Sequence, residues 1–125
     1  NELFRIRGNG NATLAGTLTQ NSDMRLKKNI QPLSDIISKI NQVNGYSYNW
    51  KDENADPSLQ IGLLAQEIQK VYPQLVKENN GTLSVNYNGM VPVLLEAIKE
   101  QQQQIETLKN ENRQIKKIVS QLLKK

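Results

Sequence analysis

Apolar residues between Phe4 and Thr19 keep one parity, Phe4, Ile6, Ala12, Leu14 and Leu18, and the pattern is interrupted at Gly8-Asn9-Gly10-Asn11. Alternation of this kind predicts two strands around a turn. The segment is too short and too poor in large side chains to stand as a sheet alone. It is expected to be the end of a longer β structure, completed by upstream sequence or by copies of itself. Beyond residue 30 the period changes. Leu33, Ile36, Ile37 and Ile40 fall at helical spacing within Pro32–Val43, with Gln31 or Ser34 as a start and Asn44-Gly45 as a stop. Tyr46, Tyr48 and Trp50 then alternate with Ser47 and Asn49, as in a strand with one aromatic face. No Lys or Arg interleaves the rings, so the face reads as core and not as a base-stacking platform. Lys51–Ser58 is a polar loop, Leu59–Leu63 a second strand, and Ala65–Val71 a helix ended by Pro73. Leu75-Val76 and Leu83, Val85, Tyr87 flank Asn79-Asn80-Gly81, a hairpin signal.

The last third carries the clearest periodicity. From Asn88 as a cap, through Gly89 and Pro92 in the first turn, one helix is predicted to the end of the chain. With Val91 at heptad position a, the a series is Val91, Ile98, Ile105, Asn112 and Val119, and the d series is Leu94, Gln101, Leu108, Ile115 and Leu122. Eight of those ten positions are apolar, which predicts a coiled coil. Glu111 at g faces Lys116 at the following e, as suits parallel strands in register, while Gln101 and Asn112 weaken packing but fix register and chain number. Ile at a with Leu at d leans toward two strands. Ile115 at d, with Ile118 and Leu123 alongside, leans toward three.

Composition narrows the chemistry. The 125 residues include no Cys and no His, which removes disulfides, thiol nucleophiles, zinc chemistry and Ser-His-Asp catalysis; no metal or cofactor is expected. A hydrophobic content of 37% is thin for a fully packed globule, so part of the chain is expected to be elongated or to depend on partner chains. No apolar run approaches the roughly 20 residues that span a bilayer, and the N-terminus lacks a basic-then-apolar pattern, so a soluble chain is expected. The net charge of +4 is scattered, with an excess from Lys116 to Lys125 that suits the C-terminal end of a helix dipole. A basic zipper would need a basic region ahead of its heptads, and Met90–Ile98 holds only Glu96 as a charge. Neither nucleic acid nor membrane is an expected partner.

One serine stands apart. Ser22 has a lysine close behind it at the seam between the strand-like leader and the helix-rich body, and serine plus lysine is the nucleophile-and-base pair still available to this chain. Spacing constrains the pair. Ser22 and Lys27 would lie roughly 16 Å apart on an extended strand, or about 7.5 Å apart in rise and well over a quarter turn around a helix. A dyad therefore needs a sharp turn at Asp23-Met24, or Lys27 of one chain serving Ser22 of another. Lysine also needs burial or neighbouring cations to act as a base, and Arg25 and Lys28 are candidates for that pressure. The alternative is that Ser22 and Asp23 cap a turn and Lys27 is a solvated surface residue.

Four stretches resemble a known family, the C-terminal intramolecular chaperone or autoprocessing domains of phage tail spikes, tail fibres and endosialidases. They are Ser22-Asp23-Met24-Arg25-Leu26-Lys27-Lys28-Asn29-Ile30, Gly45-Tyr46-Ser47-Tyr48-Asn49-Trp50, Ile61-Gly62-Leu63-Leu64-Ala65-Gln66-Glu67-Ile68, and the step from Val85-Asn86-Tyr87 into the long helix. Gly10–Leu18 also looks like the end of a fibre stalk. The resemblance implies an α+β fold: a β-stalk end (1–22), a small mixed chaperone body (23–87), and a long helix (88–125) forming a parallel trimeric coiled coil. It implies a homotrimer that registers its own upstream β-stalk and then releases itself by a cut at the Ser22-Asp23 junction. Ser22 would be the nucleophile and Lys27 its base, with Asp23 beginning the released piece; Arg25 is a supporting residue on the charge argument above. Assembly in a host cytoplasm would leave the upstream fibre in a virion tail. An attack by Ser22 on its own carbonyl would close a four-membered ring, whereas the Asn21 carbonyl is within easy reach. A different class of function is a non-catalytic trimerisation cap that stays attached to the fibre.

Overall fold

A computed structural model describes residues 1–125, and the chain is mixed helix and strand with a long C-terminal helix. It divides into two units, one formed by Asn1–Pro32 with Asn44–Leu64, the other by Leu33–Val43 with Ala65–Lys125. No helix is long and apolar enough to cross a membrane.

The first unit holds two hairpins. Strands β1 (Phe4–Ile6) and β2 (Ala12–Leu14) pair antiparallel with Phe4 opposite Leu14, as the parity of the leader predicts. Gly10 (φ 88°) closes their turn. Strands β3 (Tyr46–Tyr48) and β4 (Gln60–Gly62) pair with Ser47 opposite Ile61. Trp50 lies beyond the end of β3 and is more than half exposed, with its ring edge-on to Tyr48 at 5.1 Å between centroids. The aromatic face is thus Tyr46 and Tyr48, both half-buried. Between β3 and β4 the polar loop is ordered by its own side chains: Asn54 N–H donates to Asp52 Oδ1, and Ser58 N–H and Oγ both donate to Asp56 Oδ1.

The second unit holds the buried core, Ile36, Ile68, Tyr72, Met90, Val93 and Ala97. Helix α1 is shorter than its apolar spacing predicts, Ile36–Ile40, because Asp35 is left-handed (φ 55°) and sets the first turn without a side-chain cap. Helix α2 spans Ala65–Val71. It packs on the hairpin β5 (Val76–Asn79) and β6 (Thr82–Val85). Asn80 (φ 52°) and Gly81 (φ 77°), both left-handed, close the hairpin where its sequence signal falls. The step into the last helix is capped one turn earlier than the sequence suggests. Asn86, not Asn88, accepts the Gly89 N–H through its side chain and opens a 3-10 turn over Tyr87–Gly89. Helix α3 then runs from Met90 to Leu123, 34 residues and about 51 Å at 1.5 Å per residue.

Helix α3 divides its labour by face. Met90, Val93 and Ala97, spaced three and four apart, are buried, and α1 packs against this part of the helix. From Gln101 onward every residue is exposed.

Candidate functional site

The segment around Ser22 has no buried residue and is shaped by local hydrogen bonds. Asp23 is extended (φ −63°, ψ 129°) and caps a 3-10 turn over Met24–Leu26. Its Oδ1 accepts the Arg25 backbone N–H at 2.9 Å, while its main-chain carbonyl accepts the Leu26 N–H at 3.0 Å and Met24 O accepts the Lys27 N–H at 3.1 Å. Lys27 leaves the turn in an extended conformation. A three-residue turn between two extended residues folds the chain back, and Lys27 Nζ donates to Ser22 Oγ at 2.7 Å. Of the two routes left open by spacing, a turn within one chain is the one this structure takes. Ser22 and Lys27 are both exposed.

Arg25 is ion-paired inside the turn. Its guanidinium forks onto Asp23, with Nη2 to Oδ2 at 2.7 Å and Nε to Oδ1 and Oδ2 at 3.1 and 3.2 Å. That fork, and then the Arg25 backbone N–H, hold the Asp23 carboxyl below the usual carboxylate range; the same carboxylate raises Arg25. Sequence reading places Asp23 after the cut or, in its alternative, as a turn cap beside Ser22; the structure has Asp23 as the cap, and the fork from Arg25 is what the reading misses. The signal for the cap is the residue type, since Asp caps turns through its own side chain.

A second polar contact lies outside the sequence reading. Asn11 Nδ2 donates to Asp56 Oδ2 at 2.7 Å, joining the leader hairpin to the loop between β3 and β4, 45 residues away. Hydrogen bonds from the Ser58 hydroxyl, the Ser58 N–H and Asn11, with Arg7 nearby, bring the Asp56 carboxyl down to about 2. No local pattern announces a pairing at that separation.

The heptad residues all lie on α3. Val91, Leu94, Ile98, Ile105, Leu108, Ile115, Val119 and Leu122 are each 44–64% exposed, and Gln101 and Asn112 are exposed as well. The seam is therefore a face that this chain leaves uncovered, beside the Met90, Val93, Ala97 face that it covers.

Residues 22–77 of the chain belong to the peptidase S74 family, the chaperone of endosialidase, whose model match begins at Ser22. Relatives of the chain include long tail fibre proteins. The chain is 36% identical over 124 residues to the long tail fibre protein Gp37 of Salmonella phage S16, which covers 92% of this chain and 17% of that protein. It is 37% identical over 87 residues to Gp37 of Escherichia phage AR1 (63% of this chain, 8% of that protein), and 31% over 85 residues to Gp37 of Enterobacteria phage K3 (62% and 7%). The chain thus spans less than a fifth of the length of these relatives.

Proposed function

We propose that this chain is the self-cleaving chaperone domain of a phage tail fibre: three copies assemble through α3, register the β-stalk that ends at Ser22, and then sever it. Residues 1–22 are the stalk end, 23–87 the body and 88–125 the coiled-coil helix. The observation that carries the cleavage reading is the 2.7 Å contact between Lys27 Nζ and Ser22 Oγ at the first residue of the family match. The mature fibre belongs in the virion tail, as the names of the relatives suggest, and assembly takes place in the host cytoplasm.

Trimerisation is supported by what the chain leaves uncovered. Twenty-five large hydrophobic residues are exposed and six hydrophobic residues are buried. Burying each seam Leu, Ile or Val contributes about 1.5–3 kcal/mol, ample to hold parallel helices together. A coiled coil raises the effective concentration of three stalk ends. The intertwined stalk has mainly non-local contacts and a large closure entropy, so it gains most from that help. Removing the chaperone afterwards leaves the fibre kinetically trapped.

The chemistry needs no cofactor. Deprotonated Lys27 Nζ takes the Ser22 Oγ proton as Oγ adds to a peptide carbonyl carbon. The C–N bond breaks, the leaving amine takes the proton from Lys27, and water hydrolyses the resulting ester. Assembly supplies the desolvation that an exposed lysine lacks, so the cut follows trimerisation. Within one chain the five-membered path leads to the Asn21 carbonyl and breaks Asn21-Ser22. The Ser22-Asp23 junction implied by family resemblance requires a neighbouring copy's Ser22 or an activated water. The test is a denaturing-gel time course: wild type gives two fragments, whereas Ser22→Ala and Lys27→Ala stay whole. Identical patterns for all three refute the enzymatic part and leave the attached, non-catalytic cap as the function.

A further inference from the structure

Ser22 immediately precedes the 3-10 turn's cap, and Lys27 immediately follows its last residue. Between them, Asp23 and Arg25 concentrate four hydrogen bonds on one carboxylate: the Arg25 N–H to Oδ1, Nε to both oxygens, and Nη2 to Oδ2. An exposed ion pair adds little to the stability of a fold. What this one governs is the direction of the chain. The cap closes the turn, the turn sets Lys27 in an extended conformation, and from there Nζ reaches back to Ser22 Oγ. The turn buries nothing, so packing does not hold it. A long, exposed lysine side chain on an unheld segment would spread over many rotamers, and orientation of the reacting pair is a large part of any such rate.

We infer that Asp23 and Arg25 are positioning residues whose forked pair sets the turn that holds Lys27 on Ser22. The inference rests on the reading that Ser22 and Lys27 carry the cut, and it assigns the carboxylate two separable jobs. As a cap it accepts the Arg25 N–H, which an asparagine side chain also does. As the anchor of the fork it takes a planar guanidinium on two oxygens, which neither asparagine nor a lysine partner reproduces. Arg25 therefore acts through Asp23 and not as a cation that presses on Lys27.

The test uses the full chain and follows the first-order appearance of fragments by denaturing gel and intact mass, with light scattering and circular dichroism to confirm equal assembly and folding. Asp23→Ala and Arg25→Ala are expected to slow the cut on the order of 100-fold, and the near-isosteric Asp23→Asn and Arg25→Lys about tenfold. Asp23→Ala/Arg25→Ala should be no slower than Asp23→Ala alone, since the two act as a unit. The decisive arm is the Lys27→Met background, measured over days. There Asp23→Ala should leave the residual rate unchanged, because the pair works only through Lys27. An equal loss in both backgrounds would assign Asp23 a general structural role and overturn the inference. So would wild-type rates for Arg25→Lys and Asp23→Asn while Ser22→Ala is inert. A wild type that never cuts removes the underlying reading, and the inference with it.

Discussion

Lys27 Nζ and Ser22 Oγ lie 2.7 Å apart within one chain because Asp23 caps the turn between them. A base at that distance from a nucleophile contributes typically 10²–10⁴-fold, so Lys27→Met should slow self-cleavage by roughly that factor while leaving the oligomer intact. Lys27→Arg should rescue nothing, since arginine stays protonated. Fragment yield against time on gels, beside light scattering of the same samples, checks both statements.

Helix α3 offers a contrast between neighbours. Val93 is 3% exposed and Leu94 is 49% exposed. Val93→Asp places an unpaired charge in the core and should unfold the second unit, a loss of several kcal/mol. Ile105→Asp or Leu108→Asp lies on the uncovered seam, and should dissociate the proposed trimer while the hairpin β5–β6 and helix α2 keep their structure. Light scattering and circular dichroism separate the two outcomes. Gln101→Leu should raise the melting temperature and alter chain number or register.

Gly89 marks the entry to α3 for a steric reason. A Cβ built there would run into Leu75 Cδ2, so Leu75 has to move when any side chain is added. Gly89→Ala is expected to cost about 1 kcal/mol despite the smaller unfolded-state entropy of alanine. Leu75→Ala in the same chain should recover part of that loss, which a double-mutant cycle from thermal melts would reveal as coupling.

Asp56 gives the first unit an acid limit. Its folded value of about 2 lies below the ordinary 3.8, so its contribution to stability is complete above about 3.8, declines below that, and is gone once the pH falls through about 2. Carboxyl carbon NMR titration should find the low midpoint. Ser58→Ala should raise it more than Asn11→Ala, the order in which those groups act on it. A midpoint near 3.8 in the unaltered chain would contradict the described loop.

Sequence alone carried the regular parts and lost the irregular ones. Ala65–Val71 and the hairpin around Asn80-Gly81 were legible because their periodicity and turn chemistry agree. The long helix α3 was legible because its 3-4 apolar repeat is sustained over ten positions, a helical period that no strand or loop carries. Helix α1 begins late because Asp35 takes a left-handed conformation, which apolar spacing does not encode. Asn86 caps through a 3-10 turn that displaces the start signal from Asn88. At the site, residue types pointed to Ser22 and Lys27. The turn that joins them is three residues long, too short for any period, and rests on a side-chain fork between Asp23 and Arg25 that spacing rules do not describe.

Self-cleavage after assembly is the central claim, and intact mass of freshly purified and aged protein tests it most directly. Two fragments are predicted to accumulate with age, whose masses sum to the full chain plus one water. They should be divided before Ser22 if attack is within the chain, or after it if the Ser22-Asp23 junction is cut. A single unchanged mass in a sample that light scattering reports as trimer would contradict the account.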